Sequence, residues 1–302
     1  SFPCTTFCLK NGGEVLFGKN YDWMIGDGFV FVNKRGVQKT SMAGANAARW
    51  TSRYGSVTFN QYGRENPMGG MNEAGLVVEL MWLDETKYPS ADARPALDTL
   101  EWIQYQLDTA QSVAEVIKNS ENVRIESRVT LHYLVADRDG NSATIEFLNG
   151  RLVARTGENL PVAALANDTY EKSLNYARTT QALGGTRPTP QTAGSLERFT
   201  RAAQKTKEVE KSARAEKDAV NYAFDVLRDV AQNGSTQWSI VYDQKRAQIH
   251  FRSRQSPAVK TIDAGMFDYA CGSAVKMLDI NFEKAGDATK SFADYDAKAN
   301  RE

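Results

Sequence analysis

An α+β fold is expected from three features of this 302-residue sequence. Strand-like segments joined by tight turns fill the first third. Helical periodicity follows, and strand pairs return before the end. The βαβ alternation of a parallel sheet is missing. No internal repeat occurs, and no linker is long enough to separate domains. Residues 4–302 are therefore expected to form one domain with a polar C-terminal tail, preceded by residues 1–3 as a leader.

Residues 5–9 and 14–17 flank Asn11-Gly12-Gly13, residue types that accept the positive φ of a hairpin turn. A third strand is expected at 29–32. The apolar run 75–82, between Gly69-Gly70 and Asp84-Glu85, reads as a buried strand. After Pro95, residues 98–108 carry Leu100, Ile103 and Leu107 near helical spacing. A second helix is expected at 112–118, with Ser112 as N-cap and Glu115 as its capping-box partner. Leu131, Tyr133 and Val135 alternate along a strand at 130–136. A polar turn leads from it to a strand at 143–148, and Asn149-Gly150 turns that strand into 151–154. Residues 161–166 form a short apolar strand. Helices are expected at 169–183 and 196–207, joined by the proline-bearing loop 184–195. The charged run 208–217 reads as a solvated face or loop, and 218–231 as a helix. Strands at 237–242 and 248–252 pair around Asp243-Gln244-Lys245, and the polar end, 287–302, reads as a surface tail.

Lys plus Arg and Asp plus Glu each number 37, so the formal charge is zero. A nucleic-acid binder or a membrane-surface binder would show a basic excess. No apolar run approaches the ~18 residues of a spanning helix, so membrane insertion is not expected. Three cysteines, Cys4, Cys8 and Cys271, allow at most one disulfide, and two histidines, His132 and His250, argue against a histidine-built metal centre. No glycine-rich phosphate loop is present. The first residue is Ser1. Removal of an upstream segment would account for it, and export to the periplasm or medium is the matching expectation.

Cys4 is the first candidate for chemistry, although a cysteine in a strand is more often a small buried hydrophobe. In a hairpin, the exit of the second strand lies beside the start of the first. Asp22 in Gly18-Lys19-Asn20-Tyr21-Asp22-Trp23 is thereby brought next to the backbone nitrogen of Cys4. Were that nitrogen a free α-amine, with an ordinary pKa of ~8, it could serve as general base for its own thiol. Asp22 would orient it by a charge-assisted hydrogen bond.

Together with this pattern, Cys4-Thr5-Thr6-Phe7, Gly70-Met71-Asn72-Glu73-Ala74-Gly75-Leu76, Ala166-Asn167-Asp168-Thr169-Tyr170, Ser195-Leu196-Glu197-Arg198-Phe199-Thr200-Arg201 and the segment 238–252 resemble, in order, the choloylglycine hydrolase family. That family holds bile salt hydrolases, penicillin V acylases and other linear amide hydrolases with an N-terminal cysteine nucleophile. The resemblance implies a four-layer αββα sandwich and a cofactor-free, metal-free amide hydrolysis through a thioester. Cys4 matches the nucleophile, Asp22 the acid that holds its amine, Asn167 an oxyanion-hole asparagine and Arg198 the arginine beside the thiol. Lys19 falls where bile salt hydrolases carry Arg, and Trp82 where they carry Asn. Lys19, Trp23 and Trp82 are expected to contact substrate, the two tryptophans as aromatic walls. The implied substrates are bile salt conjugates, penicillin V, acyl-homoserine lactones or N-acyl amines, and a dimer or tetramer is the implied assembly. Two alternatives stay open: acyl transfer to an amine, and a non-catalytic binding relative in which residues 1–3 block Cys4.

Overall fold

The computed structural model describes residues 3–44, 46–210 and 216–300. Two antiparallel-rich sheets lie face to face, and helices cover their outer surfaces. The first sheet has seven strands. In it β1 (Thr5–Asn11) pairs with β2 (Glu14–Asp22), and β2 pairs on its other side with the central strand, Thr236–Asp243. The second has nine strands, among them Val77–Trp82 between Pro67–Asn72 and Leu131–Ala136. Helix α1 (Thr99–Thr109) packs on the outer face of the second sheet, with α2 (Val113–Asn122) at its Ser142–Leu148 side. Helix α3 (Tyr170–Arg178) packs on α4 (Ser195–Glu210). α4 and α5 (Glu216–Asp229) cover the β1–β2 face. The order is therefore the expected αββα.

Local chemistry accounts for most boundaries. Gly12 and Gly13 both take positive φ between β1 and β2, as a tight hairpin requires. Asp98 closes a capping box with Glu101 at the start of α1. Ser112 caps α2 by accepting from Glu115 N–H, but the Glu115 carboxylate turns to Gln111 N–H rather than completing the expected box. The helix expected over 169–183 ends at Arg178. The hydroxyls of Thr179 and Thr180 donate to the carbonyls of Tyr176 and Ala177, and Gly184 adopts φ of 89°. Of the charged run 208–217, residues 208–210 end α4, and 211–215 lie outside the described residues. The polar end is tied down, not loose. Gly286–Asp287 and Ala293–Asp294 add a short strand to each sheet, and Asn300 Oδ1 accepts from Arg64 N–H.

Pairing register directs the side chains. Thr5 stands opposite Asn20 and Thr6 opposite Lys19. Alternation then turns Cys4, Thr6, Lys19 and Tyr21 toward the second sheet, and Thr5 and Asn20 toward the helices. Thr6 Oγ1 reaches Met81 Sδ at 3.3 Å, while Asn20 Nδ2 donates to the Leu227 carbonyl of α5. Pro67–Asn72 has no strand-like alternation because glycine is needed there. A Cβ on Gly69 would lie 2.1 Å from Glu79 Cδ, and one on Gly70 2.5 Å from the Val57 carbonyl oxygen.

Candidate active site

Cys4 stands at the entry to β1, 3% exposed, on the floor of a cavity of about 250 Å³. Tyr21, Trp23, Met68, Leu80, Trp82, Leu100 and Leu131 supply its walls, and Tyr62 and Val129 its rim. Leu80 and Trp82 face it together because they are two residues apart on one strand. The walls are almost wholly apolar. The Trp82 indole N–H donates outward to Asp84 Oδ1 at 2.6 Å, so only the ring is offered to the cavity. Tyr21 is held by stacking on Trp238 and by its hydroxyl, which donates to Gln61 Oε1 at 2.6 Å.

Asn167 and Arg198 meet the backbone of Cys4 from the helix side. The Cys4 N–H donates to Asn167 Oδ1 at 2.8 Å. Asn167 Nδ2 donates to the Trp82 carbonyl at 2.9 Å, so this amide bridges Cys4 and the Trp82 strand. Arg198 lies in the first turns of α4 and is 1% exposed. Its Nη1 donates to the Cys4 carbonyl at 2.6 Å and to Thr5 Oγ1. Its Nη2 donates to Asn167 Oδ1 at 2.8 Å, and its Nε to the Ala193 carbonyl. A planar fork serving four acceptors is work that guanidinium does and ammonium does not.

Asp22 ends β2 and is fully buried. Its Oδ1 accepts from the Thr236 hydroxyl, and its Oδ2 has no hydrogen-bond partner. Burial pushes its carboxyl up to about 6, against the Thr236 hydrogen bond and the charges of Arg198 and Lys19. Burial also pushes the Cys4 thiol up. Lys19, the Asp22 backbone N–H and Arg198 pull it back, and the Asp22 charge adds to the rise. The net effect holds Cys4 toward its thiol form.

Lys19 is placed elsewhere than at the expected substrate contact. It is 1% exposed and absent from the cavity wall. Its ammonium sits between the sheets, hydrogen-bonded to the Leu80 carbonyl and 3.6 Å from Glu79 Oε2, on the same face of β2 as Tyr21 but two residues further from the cavity. Glu79 also accepts from the Tyr242 hydroxyl at 2.6 Å, and burial raises its carboxyl to about 7 against the Lys19 charge. Cys8 is buried two alternations from Cys4, and Cys271 is exposed. Thr236 and Ser195, whose Oγ accepts from Asn167 N–H at 2.8 Å, were not legible as site residues. Each acts through a partner far away in sequence. Among the described residues no group of three or more His, Cys, Asp or Glu is placed to hold a metal, and no helix is long and apolar enough to cross a membrane.

Comparison with known proteins identifies the family and the fold. The model of the linear amide C–N hydrolases, choloylglycine hydrolase family, matches residues 4–268. A penicillin V acylase of Pectobacterium atrosepticum is 27% identical, over 92% of this chain and 85% of that protein. The structure of a penicillin V acylase from Agrobacterium tumefaciens superposes with a TM-score of 0.87 at 31% identity, covering 97% of this chain and 98% of that one. A variant of the conjugated bile acid hydrolase from Clostridium perfringens shares the fold, with a TM-score of 0.76 at 17% identity over 93% of this chain and 98% of that one.

Proposed function

We propose that this chain, which belongs to the choloylglycine hydrolase family of linear amide C–N hydrolases, cleaves an amide whose acyl group is apolar and compact, with Cys4 as nucleophile. The observation that carries the reading is the convergence of Asp22, Asn167 and Arg198 on Cys4 at the bottom of an aromatic cavity. In this mechanism the α-amine of Cys4 takes the thiol proton and the thiolate attacks the amide carbonyl. Asn167 and a backbone N–H hold the oxyanion. The ammonium returns its proton to the leaving amine, leaving a thioester. Water then releases the acid and restores the thiol.

An amine at this position needs partners for its hydrogens. Asn167 Oδ1 already accepts from the Cys4 nitrogen, and the unpartnered Asp22 Oδ2 offers a second, charged acceptor close enough to act on the thiol. In the sequence Pro3 acylates that nitrogen. Activation then requires loss of residues 1–3. The thiol can attack the Pro3 carbonyl, the Cys4 nitrogen leaves as the amine, and water cleaves the resulting ester.

The phenoxyacetyl group of penicillin V fits the cavity in size and in its aromatic walls. The relatives named as penicillin V acylases favour the same substrate. A second reading rests on the rim. Met24, Ile25, Tyr62 and Val129 are large apolar side chains left exposed, two of them lining the cavity and two following Trp23 in the chain. They would carry an alkyl chain onward from the cavity, as in an acyl-homoserine lactone or N-acyl amine. Amine release from protein beginning at Cys4, measured on penicillin V, long-chain acyl-homoserine lactones, N-acyl amines and bile salt conjugates, tests both. No release from any of them would overturn the hydrolase reading, and release from bile salts alone would overturn the acyl preference.

A further inference from the structure

The peptide unit joining Ala166 to Asn167 is pinned at both ends. Its carbonyl oxygen lies 2.8 Å from His132 Nε2, and its N–H donates to Ser195 Oγ at 2.8 Å. The two anchors come from opposite sides of the fold. His132 sits on Leu131–Ala136 in the second sheet, and Ser195 opens α4 outside the first. A carbonyl only accepts, so Nε2 carries the hydrogen that joins them. The other ring nitrogen, Nδ1, is 3.3 Å from Glu146 Oε1. Glu146 is fixed in turn by Tyr170 N–H at 2.9 Å and by Arg155 Nη1 at 2.6 Å. His132, Glu146 and Ala166 are all completely buried. Burial pushes the Glu146 carboxyl up, but the hydrogen bonds from His132 and Tyr170 N–H and the Arg155 charge outweigh it and hold it lowered.

We propose that His132, backed by Glu146 and opposed by Ser195, is a positioning residue that fixes the Ala166–Asn167 peptide plane and so aims the Asn167 amide at the substrate oxyanion. The proposal rests on the reading that Asn167 supplies that amide. Holding both edges of one peptide plane resists rotation about the bonds on either side of it, ψ of Ala166 and φ of Asn167. From that backbone the Asn167 side chain sets Oδ1 against the Cys4 nitrogen and Arg198 and Nδ2 against the Trp82 carbonyl. An oxyanion donor acts only when it is aimed before charge develops, so loss of aim costs kcat and leaves ground-state binding alone.

The test uses protein beginning at Cys4 and one cleavable substrate. His132→Phe, which removes both hydrogen bonds, is expected to lower kcat on the order of 10-fold or more with KM within about 2-fold. His132→Gln, which returns an amide donor to the Ala166 carbonyl, recovers a large part of that loss. Asn167→Ala alone measures the underlying reading: if kcat survives it, the oxyanion assignment fails whatever His132 does. In the Asn167→Ala background, His132→Phe is expected to add no further loss, since the two act through one amide. Full additivity would overturn the positioning role, as would unchanged kcat in a folded His132→Phe protein. Should His132→Phe fail to fold, His132→Leu, which also removes both hydrogen bonds, decides in both backgrounds.

Discussion

Cys4 and Asn167 are 163 residues apart in sequence, and the backbone nitrogen of the first donates to the side-chain oxygen of the second at 2.8 Å. That contact joins the edge of β1 to the loop before α3 and puts an amide beside the thiol. Arg198 closes the group by binding the carbonyl of the same cysteine and the same asparagine oxygen.

The thiols are not equivalent. Cys4→Ala is expected to abolish turnover while the fold persists. Cys271→Ala, at an exposed position, is expected to change nothing. Cys8→Ala removes a buried sulfur and is expected to cost about 1 kcal/mol while activity is kept. Parallel kinetics and thermal melting check all three. Activity lost in the Cys8 variant instead would move the nucleophile.

Asp22 gives a prediction of opposite signs. Its carboxyl titrates near 6 in the folded protein, above the ~3.9 of an unfolded chain. Below about pH 4 both states hold the proton and the group contributes nothing. Between 4 and 6 the unfolded chain ionises first, and above 6 the folded protein bears the full penalty of about 3 kcal/mol. Asp22→Asn in protein still carrying Pro3 is therefore expected to raise Tm at pH 7 more than at pH 4. The same change in protein beginning at Cys4 should remove most of kcat. A lower Tm at pH 7 would contradict the first expectation, and normal turnover the second.

Arg198→Lys keeps the charge and loses the fork. A single ammonium cannot serve the Cys4 and Ala193 carbonyls, Thr5 and Asn167 together. On the order of 100-fold in kcat is expected to go. Comparable kcat in the lysine variant would mean that charge alone matters.

Trp82→Ala opens the acyl wall without touching the thiol. KM for a phenoxyacetyl amide is expected to rise on the order of 10-fold, the effect of about 1.5 kcal/mol of lost apolar contact, with kcat little changed. A fall in kcat at constant KM would place the ring in the chemistry.

Lys19 is tested against its own expected role. Lys19→Met leaves Glu79 buried without its cation, so a loss of about 3 kcal/mol in stability is expected. KM should be the same across substrates, because the ammonium does not line the cavity. A substrate-dependent KM would return Lys19 to the binding surface.

Much of this was legible from the residues. The Asn11-Gly12-Gly13 turn implied the β1–β2 hairpin, and the hairpin implied that Asp22 lies near the start of β1. Ordered motifs supplied Asn167 and Arg198. Lys19 shares a sheet face with Tyr21 but lies two residues away along β2, where the Leu80 carbonyl and Glu79 hold its ammonium, contacts that a motif does not carry. The strand at Pro67–Asn72 stayed hidden because its glycines answer to Glu79 and the Val57 backbone, contacts made in three dimensions only. His132 stands on an alternating strand, where the pattern fits core or strand surface alike. Nothing near it in sequence announces the Ala166 carbonyl.

The central claim is that the amine of Cys4 must be free for its thiol to work. Intact mass of the protein, recorded during turnover of penicillin V in acid-quenched samples, tests it most directly. The expected result is a chain beginning at Cys4 that carries one phenoxyacetyl group as a thioester, with chains retaining Ser1, Phe2 and Pro3 unmodified and inactive. Acylated, fully active protein that still carries those three residues would contradict the account and require a different base.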